Sequence, residues 1–384
     1  MFENCLVKNM YYLLRSIEDL KILKSRGRIW ISKKDDLAFT EAELETVKQQ
    51  LGKAFGLENF SPGIACEPDI EQLKKVVLES HKPIFEKAFA ARPGKEVSFR
   101  IRARRGCKKF PMTSQEIEIE LAEVVGESLD TDLLTVDLKH ADVTVGCDVR
   151  EKIAFVFYET FPAPGGLPTG CNPRVLALLS GGIDSPVACY LAMKRGCPVD
   201  FITYHSYPYT PDETVEKVKR MASIINGFQQ PGKLYVCNLA PIQKMIRDQC
   251  SPPFRTVLYR RMMFRIAEQV ANQNNCKALL TGESVGQVAS QTVVNLNTIN
   301  NAIDMLVLRP LIGTDKKDAI ELAGKIGTLE LSNQQVPDSC TVFAPSSPST
   351  AVPVWRIEKD EEKIPDYPQI LEKIISEIEV CNYE

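Results

Sequence analysis

Near the middle of the chain, Val175-Leu176-Ala177-Leu178-Leu179-Ser180-Gly181-Gly182-Ile183-Asp184-Ser185-Pro186 restricts the folds open to it. The apolar run reads as a buried parallel strand, and the paired glycines as a tight turn. A helix is predicted to start at Ser185-Pro186, with the serine as cap and the proline at the first helical position. Gly181 and Gly182 let the backbone turn sharply and come close to a ligand. Ser180, Ser185 and the first helix amides are donors suited to phosphate oxygens. A Walker loop is excluded, because no Lys-Ser/Thr follows the second glycine.

From residue 174 to about 335, apolar strands and helices alternate in the manner of a doubly wound parallel sheet. Strands are predicted at Val175–Leu179, Val199–Tyr204, Lys233–Asn238, Lys277–Thr281 and Leu306–Leu308. Helices are predicted over about 186–194, 212–225, 240–248, 256–273 and 315–326. Ligands of such sheets bind at the carboxyl ends of the strands. Candidate residues collect there: Tyr204, His205 and Ser206 after the second strand, and Thr281 to Thr292, with Gly282, Glu283 and Gln291, after the fourth. Asp184 and Glu283 are the candidate Mg²⁺ contacts. Arg260 and Arg261 near a helix start oppose the helix dipole unless an anion is close, a condition that one of them facing a triphosphate or an RNA phosphate would meet. Lys316 is a further cation at a helix start. Cys340 stands in a Pro-flanked irregular stretch, a position more exposed than that of cysteines in apolar elements.

The first half of the chain is organised differently. Residues 1–60 read as helix, one strand near Arg28–Ile31 and a second helix over 41–54. A lone strand lacks partners, so a preceding strand is expected to be missing. Residues 61–165 open with a helix over 68–90, then an alternating strand Val97–Arg105. That strand puts Val97, Phe99, Ile101 and Ala103 on one face and Arg100, Arg102 and Arg104 on the other. With Arg105, Lys108 and Lys109, the charged face is the candidate RNA-phosphate surface. No aromatic alternates with these cations, which favours a folded RNA backbone over single-strand stacking. A helix from Thr113-Ser114 to about Val125 and strands near Asp142–Arg150 and Ile153–Phe157 complete this unit. Ala163–Gly170, rich in Pro and Gly, is the joint to the next.

Global charge adds little: the formal net charge is −3. No apolar run reaches membrane-spanning length, and the first residues are not those of a signal peptide. Twelve scattered cysteines without a CxxC pair suit reduced thiols in a cytoplasmic protein and predict no iron–sulfur cluster.

Leu179 to Pro186 resembles the loop of the PP-loop ATP pyrophosphatases. The longer set of matches resembles the tRNA 4-thiouridine synthetase family, also called thiamine-biosynthesis sulfurtransferases. Phe99–Arg105 with Phe110–Ile117 is similar to its THUMP RNA-binding domain. Pro164–Gly170, Arg255–Met263, Thr281–Thr292 and Leu308–Gly313 are similar to segments of its catalytic part. The resemblance implies a ferredoxin-like α+β unit over 1–60 lacking its first strand, a THUMP domain over 61–165, a PP-loop domain over 166–350 and a tail with a short helix over 351–384. It implies ATP-dependent adenylation of uridine 8 of tRNA at O4, then replacement of that oxygen by persulfide sulfur. ATP and Mg²⁺ are the implied cofactors. The implied partners are tRNA, a cysteine desulfurase, a thiamine-pathway sulfur carrier protein and a second copy of the chain.

On the same basis ATP is expected at Leu179, Ser180, Gly181, Gly182, Ile183, Asp184, Ser185, Tyr204, His205, Ser206, Arg261, Gly282 and Gln291, with Cys340 and Asp184 catalytic. The chain departs from the family in three places. It begins after the family's first strand, it has no rhodanese domain, and Ser346-Ser347-Pro348 replaces a basic pattern. Two other readings remain: a PP-loop ligase or amidotransferase acting on a small molecule, which leaves the arginine face unexplained, and a non-catalytic RNA binder, which leaves the intact loops unexplained.

Overall fold

The computed structural model describes residues 2–25, 27–129, 131–337 and 342–383. They form two compact units, Met1–Glu58 with Pro164–Glu384, and Asn59–Ala163.

The chain opens with α1 (Phe2–Leu13), the strands β1 (Leu20–Ser25) and β2 (Arg28–Lys33), and α2 (Glu41–Leu51). β1 and β2 pair antiparallel from Leu20↔Lys33 to Ser25↔Arg28. The single strand expected here therefore has its partner within the chain, in the Leu-Lys-Ile-Leu-Lys-Ser just before it. A capping box starts α2: Glu43 N donates to Thr40 Oγ1 and Thr40 N to Glu43 Oε2, closing two otherwise unpaired amides. This segment packs within its own unit. Asn9 donates to Thr169 O at 2.8 Å, and the Phe55 ring meets Tyr190 at 5.0 Å.

The second unit contains β3 (Asn59–Phe60), β4 (Gly63–Cys66), α3 (Ile70–Ser80), α4 (Lys82–Ala91), β5 (Val97–Arg105), α5 (Ser114–Leu129), β6 (Leu134–Val136), β7 (Val143–Val149), β8 (Ala154–Phe157) and β9 (Phe161–Pro162). The order β4-β8-β7-β5-β6 makes a mixed sheet, with β5 parallel to both neighbours. The alternation of β5 holds, burying Val97, Phe99 and Ile101 against Leu73, Val77, Phe85, Ile117 and Leu121. The single helix expected over 68–90 is instead two. Pro83 lacks the amide needed to continue the hydrogen-bond ladder, and the break leaves His81 buried between Val77 O and Ser128 Oγ.

After the joint come β10 (Val175–Leu178), α6 (Asp184–Lys194), β11 (Val199–His205), α7 (Glu213–Asn226), β12 (Leu234–Asn238), α8 (Ala240–Gln249), α9 (Arg255–Gln273), β13 (Leu279–Leu280), α10 (Val293–Asn300), β14 (Val307–Leu308), α11 (Lys316–Ile326), α12 (Leu329–Ser332), α13 (Val354–Glu361), α14 (Tyr367–Ser376) and β15 (Glu379–Cys381). The sheet order is β14-β13-β10-β11-β12-β15, all parallel except β15. Residues alternate between two cores. Leu176 and Ile202 face α8, α9 and α14, while Val175, Ala177 and Phe201 face α6, α7 and α11. The expected strands and helices are present. The tail expected over 351–384 with one short helix holds two, α13 and α14, and β15 extends the sheet at β12.

The order also locates the site. From β10 the chain moves outward through β11 and β12, then returns to the other flank of β10 as β13. Such a reversal opens a crevice at the carboxyl ends of the two strands.

Candidate nucleotide site

A cavity of about 410 Å³ occupies that crevice. Its floor is the glycine loop. Ser180 N donates to Ser185 Oγ at 2.9 Å, and the two hydroxyls lie 3.0 Å apart. Ser185 is therefore not the helix cap expected from sequence. α6 begins at Asp184, and Ser185 ties the loop back on itself. On the β13 side, a Cβ at Gly282 would lie 2.6 Å from Asp184 C and Ser185 N. Only glycine lets these two loops approach so closely.

Leu178, Leu179, Thr203, Tyr204 and Met263 supply the less polar wall. Tyr204 is pinned by its hydroxyl, which donates to Met263 O at 2.6 Å, and burial pushes its pKa well up. Gly181, Gly182, Asp184, Ser185, Lys217, Arg260, Gly282, Glu283 and Gln291 supply polar atoms. Ser332 and Gln334 to Pro337 close the far side. That segment is anchored to α7: Lys217 Nζ donates to Ser332 O and Gln334 O at 3.0 and 2.7 Å, and Thr214 to Pro337 O at 3.0 Å.

Glu283 is the electrostatic centre of the site. Its carboxylate, 2% exposed, accepts from Arg260, from Arg309 at 2.8 Å and from Thr281 at 2.9 Å. Burial alone would raise its pKa. The two arginine charges and these hydrogen bonds outweigh burial and hold it below the ordinary carboxylate range. Arg260 spans the clamp and the cavity, and its buried Nε has no partner among the described residues. An arginine on the cavity wall suits a phosphate oxygen.

Arg261, assigned to the phosphates from sequence, faces elsewhere. It is 1% exposed and binds Glu361 at 2.8 and 3.1 Å. Successive residues on a helix point about 100° apart, so one arginine of the pair enters the cavity and the other the core. Ile183 packs against the core beside α6. His205 and Ser206 lie just past the wall. Burial lowers the pKa of His205, opposed by Asp212 and Glu379, and Ser206 Oγ donates to Gln243 at 2.6 Å. Lys217 and the 332–337 wall went unnoticed in the sequence. A lysine inside an amphipathic helix carries no local mark of such a role.

The two candidate metal carboxylates differ in fit. Both oxygens of Glu283 are engaged by arginines, whose charge already neutralises the carboxylate and disfavours Mg²⁺ there. Asp184 accepts from Lys316 at 2.8 and 2.9 Å and from Gln287 at 2.8 Å. It stands at the helix start beside the glycine loop, where one carboxylate and phosphate oxygens are the usual Mg²⁺ partners. No cluster of three or more His, Cys, Asp or Glu suited to a metal occurs among the described residues. Cys340 lies outside the described residues.

In the second unit, Arg100 donates to Thr144 Oγ1, Leu138 O and Lys139 O, and Arg102 to Leu138 O at 2.7 Å. Arg105 reaches Phe110 O and Met112 O at 3.4 Å, and Lys109 pairs with Glu151 at 3.3 Å. Arg104 and Lys108 are exposed.

A glycine loop at the switch point of a parallel sheet, with the Arg260 guanidinium on the cavity wall, defines an α/β nucleotide-binding protein of the PP-loop type. The family model described as Thiamine biosynthesis protein (ThiI) matches residues 170–365, and the THUMP domain model matches 67–159. The chain belongs to the ThiI family. It is 42% identical over 379 residues to the probable tRNA sulfurtransferase of Alkaliphilus oremlandii, covering 99% of this chain and 93% of that one. The probable tRNA sulfurtransferase of Brevibacillus brevis is 36% identical, with 99% and 91% covered. Among solved structures, a 4-thiouridine synthetase–RNA complex with bound ATP superposes with a TM-score of 0.88. It is 33% identical, covering 100% of this chain and 95% of that one. PH1313 from Pyrococcus horikoshii shares the fold, with a TM-score of 0.62 at 22% identity over 85% of this chain and 94% of that one. No helix among the described residues is long and apolar enough to cross a membrane.

Proposed function

We propose that this protein is an ATP-dependent tRNA sulfurtransferase that converts uridine 8 of tRNA to 4-thiouridine. The observation that carries the reading is the cavity at the β10/β13 crevice, with its glycine loop and the Arg260 guanidinium on its wall. The apolar wall of Leu178, Leu179, Tyr204 and Met263 takes the adenine. The loop amides, Ser180, Ser185 and Arg260 take the phosphates, and Gln291 orders the loop around Gly282. Asp184 is the residue that would hold Mg²⁺, which when bound neutralises phosphate charge. Lys316 and Gln287 hold that carboxylate in place.

The uracil O4 attacks the α-phosphorus of ATP, the bond to the β-phosphate oxygen breaks, and pyrophosphate leaves. O4 now carries AMP, a far better leaving group. The terminal sulfur of a persulfide on Cys340 attacks C4, and the C4–O bond breaks with release of AMP. A thiol then cleaves the remaining S–S bond, leaving sulfur on the base and a disulfide that a cellular dithiol reduces. Cys340 follows Pro337, a residue of the cavity wall, by three positions in the sequence.

The persulfide sulfur comes from a cysteine desulfurase, and the same persulfide serves a thiamine-pathway sulfur carrier protein. The chain acts in the cytoplasm as a homodimer, and the exposed Arg104 and Lys108 meet tRNA phosphates. The test is 4-thiouridine in bulk tRNA of a strain lacking its own enzyme, complemented with this chain or its Cys340→Ala form. Thiolation restored by the first alone supports the reading. Restoration by neither, with the native desulfurase supplied, rejects it.

A further inference from the structure

We infer that Tyr207, Tyr209, Phe343 and Arg247 form a stacking platform for an unpaired nucleobase of the RNA substrate beside the nucleotide cavity. The inference rests on tRNA being the substrate. Adenylation at O4 requires the edge of the uracil to be free, and enzymes acting on a base take it out of its stack. The extruded base, or the neighbour it leaves, regains stacking on aromatic or guanidinium faces.

The surface has the composition for this. β11 sends Thr203 and Tyr204 into the cavity wall and continues directly into Tyr207-Pro208-Tyr209. Tyr207 is 59% exposed and Tyr209 46%, although the loop that bears them is firmly held. Ser206 N donates to Thr210 Oγ1 at 2.9 Å, Ser206 Oγ to Gln243, and Asn238 to Tyr207 O at 3.3 Å. Tyr209 meets Phe343 edge to face at 4.8 Å. The Arg247 guanidinium lies 5.0 Å over the Phe343 ring, and the Tyr259 hydroxyl donates to Phe343 O. Behind them Arg255 donates to Arg247 O and keeps a buried Nε with no partner among the described residues. Aromatics interleaved with cations are the signature of single-stranded nucleic-acid contact. The Arg100–Arg104 face lacks it.

Two readouts test the platform. In the first, tRNA thiolation kinetics and ATP affinity are compared for wild type, Tyr207→Ala/Tyr209→Ala and Tyr207→Phe/Tyr209→Phe. The alanine pair is expected to lower kcat/KM for tRNA by about thirtyfold while ATP affinity stays the same, and the phenylalanine pair to stay near wild type. In the second, RNA carrying 2-aminopurine in an unpaired stretch is bound without ATP. Its fluorescence should be quenched by wild type and the phenylalanine pair and not by the alanine pair. Unchanged kcat/KM in the alanine pair, or no quenching by wild type, overturns the platform. Quenching without any thiolation keeps the platform and rejects the proposed reaction. Quenching equal in all three proteins places the unpaired base elsewhere on the protein and overturns the inference.

Discussion

Arginines concentrate in two regions, the outer face of β5 and the cavity end of α9, and the protein uses them in opposite ways. On β5, Arg100 and Arg102 donate to the carbonyls of residues 138–139, bracing their own unit in contact with water. At the cavity, a carboxylate out of water fixes two guanidinium groups and leaves one Nε of Arg260 without a partner. Exposed ion contacts contribute little to stability, whereas a buried charge left alone is costly. A row of cations thus says less about ligand binding than one cation aimed by a buried acid.

Removing that acid should break the contrast most visibly. Glu283→Ala is expected to lose about 3–5 kcal/mol of stability in urea denaturation, together with ATP binding. Glu361→Ala, which strands Arg261 and Arg265, should cost a similar amount while the remaining folded fraction still binds ATP. Next in size is Arg260→Ala, expected to lower kcat/KM for ATP by about a hundredfold, roughly 2.7 kcal/mol, with little change in the urea midpoint. Arg261→Ala should instead move the midpoint. If Arg261→Ala alone impaired ATP use, the assignment of the two arginines would be reversed.

On β5 the effects are smaller. Arg104→Ala should lower the slope of log affinity for tRNA against log salt by about 1, and Arg102→Ala by less, because Leu138 O already holds that side chain. Equal effects would erase the distinction between bracing and binding arginines.

The smallest expected effect is a flat response to pH. Glu283 and Glu361 both stand below the ordinary value of 4.5 in the folded protein. Their stabilisation is present above the unfolded value and is lost only as pH falls through the lower folded values. Between pH 5 and 8 these two groups should therefore contribute no slope to a urea-midpoint titration. A falling midpoint already at pH 6 would point to His205, whose lowered pKa makes its contribution vanish on that side.

The contrast also explains what could be read beforehand. Period-two alternation exposed the charged face of β5, and an apolar run before two glycines marked the loop after β10, because both signals are local. The partners were invisible because they are remote. Arg260 finds Glu283 23 residues away and Arg261 finds Glu361 100 away, so adjacent identical side chains could not be told apart. Leu20–Ser25 was overlooked because Ile22 and Leu23 stand side by side and break the alternation. β15 was not legible, since three residues become a strand only by pairing with β12. The split between α3 and α4 was announced by Pro83.

Arg260 and Arg261 share one rigid rod, and its two sides answer to different parts of the chain. One grips the glutamate beside the nucleotide cavity. The other is bolted through Glu361 to the penultimate helix, far along the sequence. An agent that prised that helix loose would slacken the rod and let the phosphate-facing guanidinium drift before the sheet itself had melted. Gradual heating should accordingly extinguish nucleotide affinity ahead of the main unfolding transition. The protein's most heat-sensitive functional joint would then lie on the far side of the helix from the chemistry.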